Sequence, residues 1–309
     1  AGLPFNYLRN VDYVSGAAIM IPRNLWQQID GFDDHFAPAY YEDVDLAFKV
    51  RALGLEVLYQ PRALVTHFEG ISSGTDLNAG VKSYQLVNQS KFHEKWNYQL
   101  ALHEVNQQID NFNPPHDFKP RLLIIDAEVP TPNKDAGSLI SVGFQKIVTE
   151  LGFNITFIPE NLFLNGDYGQ ALQGEGIEVI HFPEVSRVEA YLKDNIDRFD
   201  LVYLVRHYPT GRFASLIKEL KPDLKIIFNT VDLHHIREKR ELEVMHPVSI
   251  PEKLLNEYEK SKANELNVMA LTDATIVVSS AEKAYLEAVD PSLDVHCIPI
   301  PVKLTAAVA

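Results

Sequence analysis

Leu122-Leu123-Ile124-Ile125-Asp126, followed by Val129-Pro130-Thr131-Pro132-Asn133-Lys134-Asp135-Ala136-Gly137-Ser138, is the stretch on which the fold turns. Four consecutive apolar residues closed by a carboxylate suit a strand buried on both faces, and a proline-broken turn then delivers a Gly-Ser pair that opens a helix. Downstream the same alternation recurs. Strands are predicted at residues 121–126, 154–159, 178–182, 201–205, 225–229, 275–279 and 295–298, with helices between them, among others at 138–151, 211–220 and 251–271. Short apolar runs alternating with amphipathic helices give a parallel sheet covered by helices on both faces, an α/β, Rossmann-like domain. A helix opening on Gly137-Ser138 presents backbone N–H groups to any anion. Both Gly-x-Gly-x-x-Gly and the Gly-Lys-Ser/Thr ending are absent, which counts against a dinucleotide oxidoreductase and a P-loop.

Upstream the rhythm differs. The polar segment 111–119, with Pro114 and Pro115, breaks any helix and sets the boundary. Residues 1–112 form one predicted domain, 113–120 a linker and 121–309 the second domain. In the first, a strand is expected at 11–21, a helix at 23–29, a Gly31-Phe32-Asp33-Asp34 turn and a helix at 43–53 that ends at Gly54 as a left-handed cap. Strands at 56–59 and 63–67 and a long helix at 81–105 complete it.

Composition narrows the function classes. The chain has 309 residues, 46% hydrophobic and 10% aromatic, which suits well-packed globular protein. A formal charge of -14 and a pI near 5.2 argue against a chain that grips nucleic acid through its phosphates. Cys297 is the single cysteine, so neither an internal disulfide framework nor a multi-thiolate metal site is available, as suits a reducing compartment. No run approaches the roughly 20 apolar residues that a spanning helix needs. A cytoplasmic location is expected, with peripheral association at the inner face of the cell membrane as an option.

Chemistry concentrates in Tyr40-Tyr41-Glu42-Asp43-Val44-Asp45-Leu46, three carboxylates in the mouth of a helix. Acidic residues there also stabilise the helix's positive end, so the triplet alone does not define a site. Its surroundings extend the pattern: Val14-Ser15-Gly16-Ala17-Ala18, then Gly31-Phe32-Asp33-Asp34-His35-Phe36, then the acidic helix, then Gly54, Pro61 and Val65-Thr66-His67, and finally Asn88, Lys91-Phe92 and Lys95-Trp96. In that order these motifs resemble the second half of a family 2 glycosyltransferase with a GT-A fold, over nearly all of residues 1–105. Lys49 departs from the pattern, where relatives often carry Arg.

The resemblance implies inverting transfer from a nucleotide-activated sugar. Asp43 is then the base that takes the proton from the acceptor hydroxyl, with Glu42 in reserve or orienting the acceptor, and Ser15, Gly16, Ala17 and Asp45 on the acceptor side. It also implies that His67 helps hold a divalent metal, Mn or Mg, in the complete first domain, whereas no tightly bound cofactor is expected in this chain. The donor half of such an enzyme, with its Asp-x-Asp motif, would precede Ala1.

The second domain resembles the N-terminal half of a family 4 type glycosyltransferase with a GT-B fold. The residues that carry this likeness are the Pro-x-x-Asp-Ala-Gly-Ser loop at 132–138, Gly152-Phe153-Asn154-Ile155-Thr156-Phe157, Tyr203-Leu204-Val205-Arg206-His207, Thr230-Val231-Asp232-Leu233-His234-His235, Val277-Val278-Ser279-Ser280 and Ile298-Pro299-Ile300-Pro301. In an open α/β sheet ligands bind beyond the carboxyl ends of the strands, so Asp126, Glu128, Asp135, Gly137, Ser138, Asn161, Arg206, His207, Asp232, His234 and Ser279 form an expected acceptor rim. Arg206 suits an anionic acceptor group such as a lipid-linked phosphate.

The combined expectation is a piece of a tandem polysaccharide-building glycosyltransferase. Its partners would be a nucleotide-sugar donor, a glycan or lipid-linked acceptor, and the missing flanking half-domains; isolated, it is expected not to turn over. The rival expectation is a carbohydrate-binding or assembly module that keeps the fold without the chemistry.

Overall fold

A computed structural model describes residues 6–66, 80–103 and 119–299. The chain divides between residues 118 and 119 into two compact units.

In the first unit, strand β1 (Arg9–Asn10) pairs antiparallel with β2 (Leu58–Tyr59), and the helices are α1 (Arg23–Gln28), α2 (Glu42–Ala52), α3 (Tyr84–Lys95) and α4 (Asn97–Ala101). Phe36, Phe48, Phe92 and Trp96 form one core cluster; Ala47, Val50 and Val57 form another, onto which Val11, Val14 and Ile21 pack. Gly54 follows α2 with φ +74°, as a left-handed cap requires.

Three predicted elements differ. Pairing stops after the Val11 N–H to Val57 carbonyl bond of 2.8 Å, and residues 12–21 run as a loop whose apolar side chains reach the core without a ladder. Residues 63–66 are not a strand, and His67 lies outside the described residues. The long helix breaks at Trp96, whose ring is buried in the core while its indole N–H donates to Asp45 Oδ1 at 2.7 Å.

The second unit runs β3 (Arg121–Asp126), α5 (Ala136–Glu150), β4 (Asn154–Pro159), α6 (Asp167–Gly174), β5 (Glu178–Val179), α7 (Val188–Asn195), β6 (Leu201–Val205), α8 (His207–Leu220), β7 (Lys225–Asn229), α9 (His234–Met245), α10 (Glu252–Ala270), β8 (Ala274–Val277), α11 (Ser280–Val289) and β9 (Val295–Cys297). All seven strands are parallel, in the order β5-β4-β3-β6-β7-β8-β9. It is an α/β fold with a Rossmann-like sheet: the first three strands run outward one way and the next four the other, which places the topological switch point between β3 and β6. Leu122 to Ile125 are each at most 1% exposed, so β3 is covered on both faces, as its unbroken apolar run requires. Helices cover those faces: Val148 and Leu172 pack with Ile124, Phe157 and Tyr203, and Met269 and Leu286 with Phe228 and Val277.

Two features make the sheet's supports testable. Gly169 in α6 lies so close to the loop before it that a Cβ there would sit 2.1 Å from the Leu164 carbonyl oxygen. Gly169→Ala must therefore move backbone, and chemical denaturation is expected to show a loss of about 3 kcal/mol. Asp273, ahead of β8, is pushed up by burial, but Lys218, Lys225 and the Ile226 N–H outweigh this and hold its carboxyl at about 2. A depressed carboxylate contributes stability above its unfolded value, near 4, and loses it as pH falls towards 2. Asp273→Asn is expected to cost about 1–2 kcal/mol at pH 7, allowing for solvent screening, and to flatten the acid limb of a thermal-melt series between about pH 4 and 2.

Candidate functional site

In the first unit the site is built by two loops meeting the start of α2. Tyr40 and Tyr41 both adopt φ +74°, a left-handed backbone that tyrosine rarely takes, and the chain enters α2 directly from them. Strain of this kind collects where a fold must present a side chain at a fixed angle. Asp43, on the first turn of α2, accepts from the Gly16 N–H through Oδ2 at 2.7 Å and from the Val44 N–H through Oδ1 at 2.8 Å. A Cβ at position 16 would lie 3.2 Å from that Oδ2, so glycine is what allows the two segments to approach. Ser15 Oγ accepts from the Ala17 N–H at 3.3 Å and shapes the same exposed loop. The structure thus brings Ser15, Gly16, Ala17 and Asp43 together. Glu42 lies beside them, with one carboxylate oxygen buried and without a hydrogen-bond partner among the described residues.

Asp45 corrects the acceptor-side expectation. Two residues along a helix is a turn of about 200°, which takes Asp45 to the opposite face from Asp43. It is fully buried, bonded to the Trp96 indole and paired at 2.7 Å with Lys95, which also holds Asp33 at 2.7 Å. Its job is internal: it ties α2 to α3. No group of three or more His, Cys, Asp or Glu side chains suited to a metal converges among the described residues.

In the second unit the loop after β3, the end of β6 and the end of β7 converge at the switch point. Arg206 follows β6 and pairs with Asp126 at the end of β3, which is 1% exposed. Burial pushes the Asp126 carboxyl up, and the guanidinium opposes that shift. Arg206 itself sits at φ +65°, ψ +148°, and Val231 after β7 at φ +64°; both are left-handed non-glycine positions. Gly137 completes the crevice: a Cβ there would lie 3.3 Å from an Arg206 guanidinium nitrogen and 3.4 Å from Val231.

Asp135 caps α5, accepting from the Ser138 N–H at 2.7 Å and the Ser138 hydroxyl at 2.5 Å, and these bonds hold its carboxyl below the usual range. Ser138 is buried beneath it. His207 and His234 stack with ring centroids 4.6 Å apart; burial first, then its histidine neighbour, lowers His207 from its ordinary value. Asp232 pairs with Arg237 at 2.9 Å and Arg237 reaches His234 Nδ1 at 2.6 Å. Ser279 caps α11 through a capping box with Glu282, Asn161 closes its own loop on the Phe163 N–H, and Glu128 is exposed.

Sequence reasoning missed Glu265. Carried on α10, it accepts from the backbone N–H groups of His234 and His235 at 3.0 and 2.9 Å and pairs with His235 Nδ1 at 2.6 Å, so it fixes the start of α9 and the placing of His234. A carboxylate on the apolar stripe of an amphipathic helix was its only signal. Pro130 and Pro132 of the β3 loop also line an apolar cavity of about 350 Å³ with Val142, Tyr168, Leu172 and Ile177, a volume suited to a small molecule.

Site and fold together define an α/β protein with a crevice at the switch point of its sheet and, in a separate smaller unit, a half-buried aspartate that accepts from the Gly16 N–H. No family model matches the chain. A stretch of 68 residues is 35% identical to N-acetylglucosaminyl-diphospho-decaprenol L-rhamnosyltransferase of Mycobacterium tuberculosis strain CDC 1551 / Oshkosh, and equally to that of strain ATCC 25618 / H37Rv. The match is 22% of this chain and 22% of the relative, so the chain spans about a fifth of the length of the curated relatives it matches. A short-chain dehydrogenase/reductase (wide type) from Veillonella parvula DSM 2008, solved in complex with NADP, is similar at TM-score 0.33 and 12% identity, over 52% of this chain and 69% of that one, too distantly to bear on function. No described helix is long and apolar enough to cross a membrane.

Proposed function

We propose that the chain is part of a glycosyltransferase that moves a sugar from a nucleotide donor to a glycan or lipid-linked acceptor, with Asp43 as the base of an inverting first module. The observation that carries this reading is the Gly16 N–H to Asp43 Oδ2 bond, which joins two separate motifs at an exposed surface. The partial likeness to a rhamnosyltransferase agrees with it. Each Asp43 oxygen accepts one backbone hydrogen bond and keeps a further lone pair for a substrate hydroxyl. In the transfer, Asp43 takes the proton from that hydroxyl, the oxygen forms a bond to the sugar's anomeric carbon, and the bond from that carbon to the diphosphate breaks with its electron pair leaving on the nucleotide. One base suffices because the diphosphate departs as a stable anion.

A divalent ion is part of this reading through the resemblance, with His67 as a contributor. When bound, it would neutralise the departing diphosphate. A lipid-linked diphospho-sugar, the kind of acceptor in the mycobacterial relative's name, is the proposed acceptor class. In the second unit Arg206, Gly137, His207 and His234 are the proposed acceptor contacts, with Asp135, Ser138 and Asp232 supporting them. Transfer of label from a panel of nucleotide sugars by the complete protein, with Mn²⁺, Mg²⁺ or chelator, tests the reading. Transfer from no donor under any of these conditions would favour an assembly module with the same fold.

A further inference from the structure

We propose that Asn88 is a positioning residue, whose buried amide clamps the strained turn that aims Asp43. Asn88 lies on α3, fully buried, 45 residues after the side chain it controls. Its Nδ2 donates to three carbonyl oxygens: Phe36 at 2.6 Å, Ala39 at 2.9 Å and Tyr40 at 3.1 Å. The two Nδ2 hydrogens serve the three carbonyl oxygens with one of them shared, and only the nitrogen end can face three acceptors, so donor–acceptor matching fixes the orientation and Oδ1 is left buried without a partner among the described residues.

A buried oxygen without a partner is a cost that a merely space-filling leucine would avoid. What the amide holds is the segment 36–40, which ends on the first of the two left-handed tyrosines and leads through the second into the first turn of α2. Lys91, one turn along α3, adds a bond from its ammonium to the His35 carbonyl at 2.7 Å, so the same helix grips the turn twice. Without the clamp, Tyr40 and Tyr41 have every reason to relax to negative φ, and relaxation there rotates the start of α2 and withdraws Asp43 from Gly16. The functional meaning of the clamp rests on Asp43 being the base, as proposed above, whereas the geometry it controls is measurable without any transfer.

Amide hydrogen exchange on the complete protein separates the two. The Gly16 N–H reports the Asp43 contact, and the Trp96 indole N–H, bonded to Asp45 on the other face of α2, reports the unit's core. Asn88→Asp has the same shape but turns a carboxylate towards three carbonyls. It is expected to speed exchange at Gly16 by about tenfold or more while Trp96 stays protected. Unchanged exchange at Gly16 overturns the proposal. If Asn88→Asp instead opens the whole unit, Asn88→Ala is compared in the wild-type and Tyr40→Gly backgrounds. Glycine adopts φ +74° without help, so the alanine's effect on Gly16 should shrink in the second background; an equal effect in both overturns the clamp. Where transfer is measured, kcat should fall with KM little changed. Altered Gly16 exchange with no transfer in wild type would support the clamp and count only against Asp43 as base.

Discussion

Asp43→Asn in the complete protein is expected to lower sugar transfer by about 10²–10⁴-fold, the range that a positioned general base contributes. Asparagine is isosteric, and its carbonyl oxygen can still accept from the Gly16 N–H, so the meeting of the two loops is preserved while the bond from the Val44 N–H is given up. What is lost is the lone pair basic enough to receive the acceptor's proton. The expected signature is a fall in kcat with donor affinity and thermal stability little changed, read from initial rates and a melt. Glu42→Gln under the same conditions separates the two carboxylates. A larger loss from Glu42→Gln than from Asp43→Asn would exchange their roles, and wild-type rates in both variants would remove the catalytic reading of this helix.

The largest stability effect should come from Glu265→Ala. Glu265 and His235 are both at most 1% exposed, and the carboxylate also holds the first two N–H groups of α9. Removing one member of a buried pair leaves the other without compensation, at a cost of about 3–5 kcal/mol. Glu265→Gln keeps a carbonyl acceptor and should cost less. Burial raises the Glu265 carboxyl, but the bonds from His235 and the two backbone N–H groups outweigh it and leave it below its ordinary value. The sign follows: its contribution is fully present above the unfolded value, about 4.3, and is lost as pH falls through the folded one. Urea titrations at pH 7 and at about pH 3.5 should show the gap between wild type and Glu265→Gln narrowing in acid. A gap that widened would mean that the carboxylate is not the stabilising form.

The sheet was legible because its strands are continuous apolar runs closed by polar residues. Arg121 to Asp126 and Leu201 to Val205 were bounded to the residue, since apolar runs of strand length between polar flanks are too short for a helix. Shorter strands were overextended: 178–182 pairs only at Glu178–Val179, on the sheet's edge, where one neighbour sets the length. In the first unit the apolar residues of 11–21 pointed to a strand, but they serve as single anchors from a loop, and periodicity cannot tell a ladder from a set of anchors.

The candidate site was legible as residue types and not as contacts. The Glu42-Asp43 pair stood out; helical spacing sets Asp45 on another face from Asp43, but nothing in one dimension showed that this face packs on Trp96 and Lys95 or that Gly16 reaches Asp43. Asn88 and Glu265 were invisible as actors for the same reason: each works on backbone groups dozens of residues away, and an amide or carboxylate inside a helix announces no partner.

The order of the strands also sets a timetable for synthesis. β3 hydrogen-bonds to β4 and to β6, so its second edge stays open until Leu201–Val205 has been made, some 80 residues after Arg121. Through that interval, at ribosomal speeds of about 5–20 residues per second, a strand buried on both faces in the finished fold waits for roughly 4–16 s with at least one edge bare. A nascent chain held at this stage is the form in which the protein is most exposed to chaperones and to its own kind.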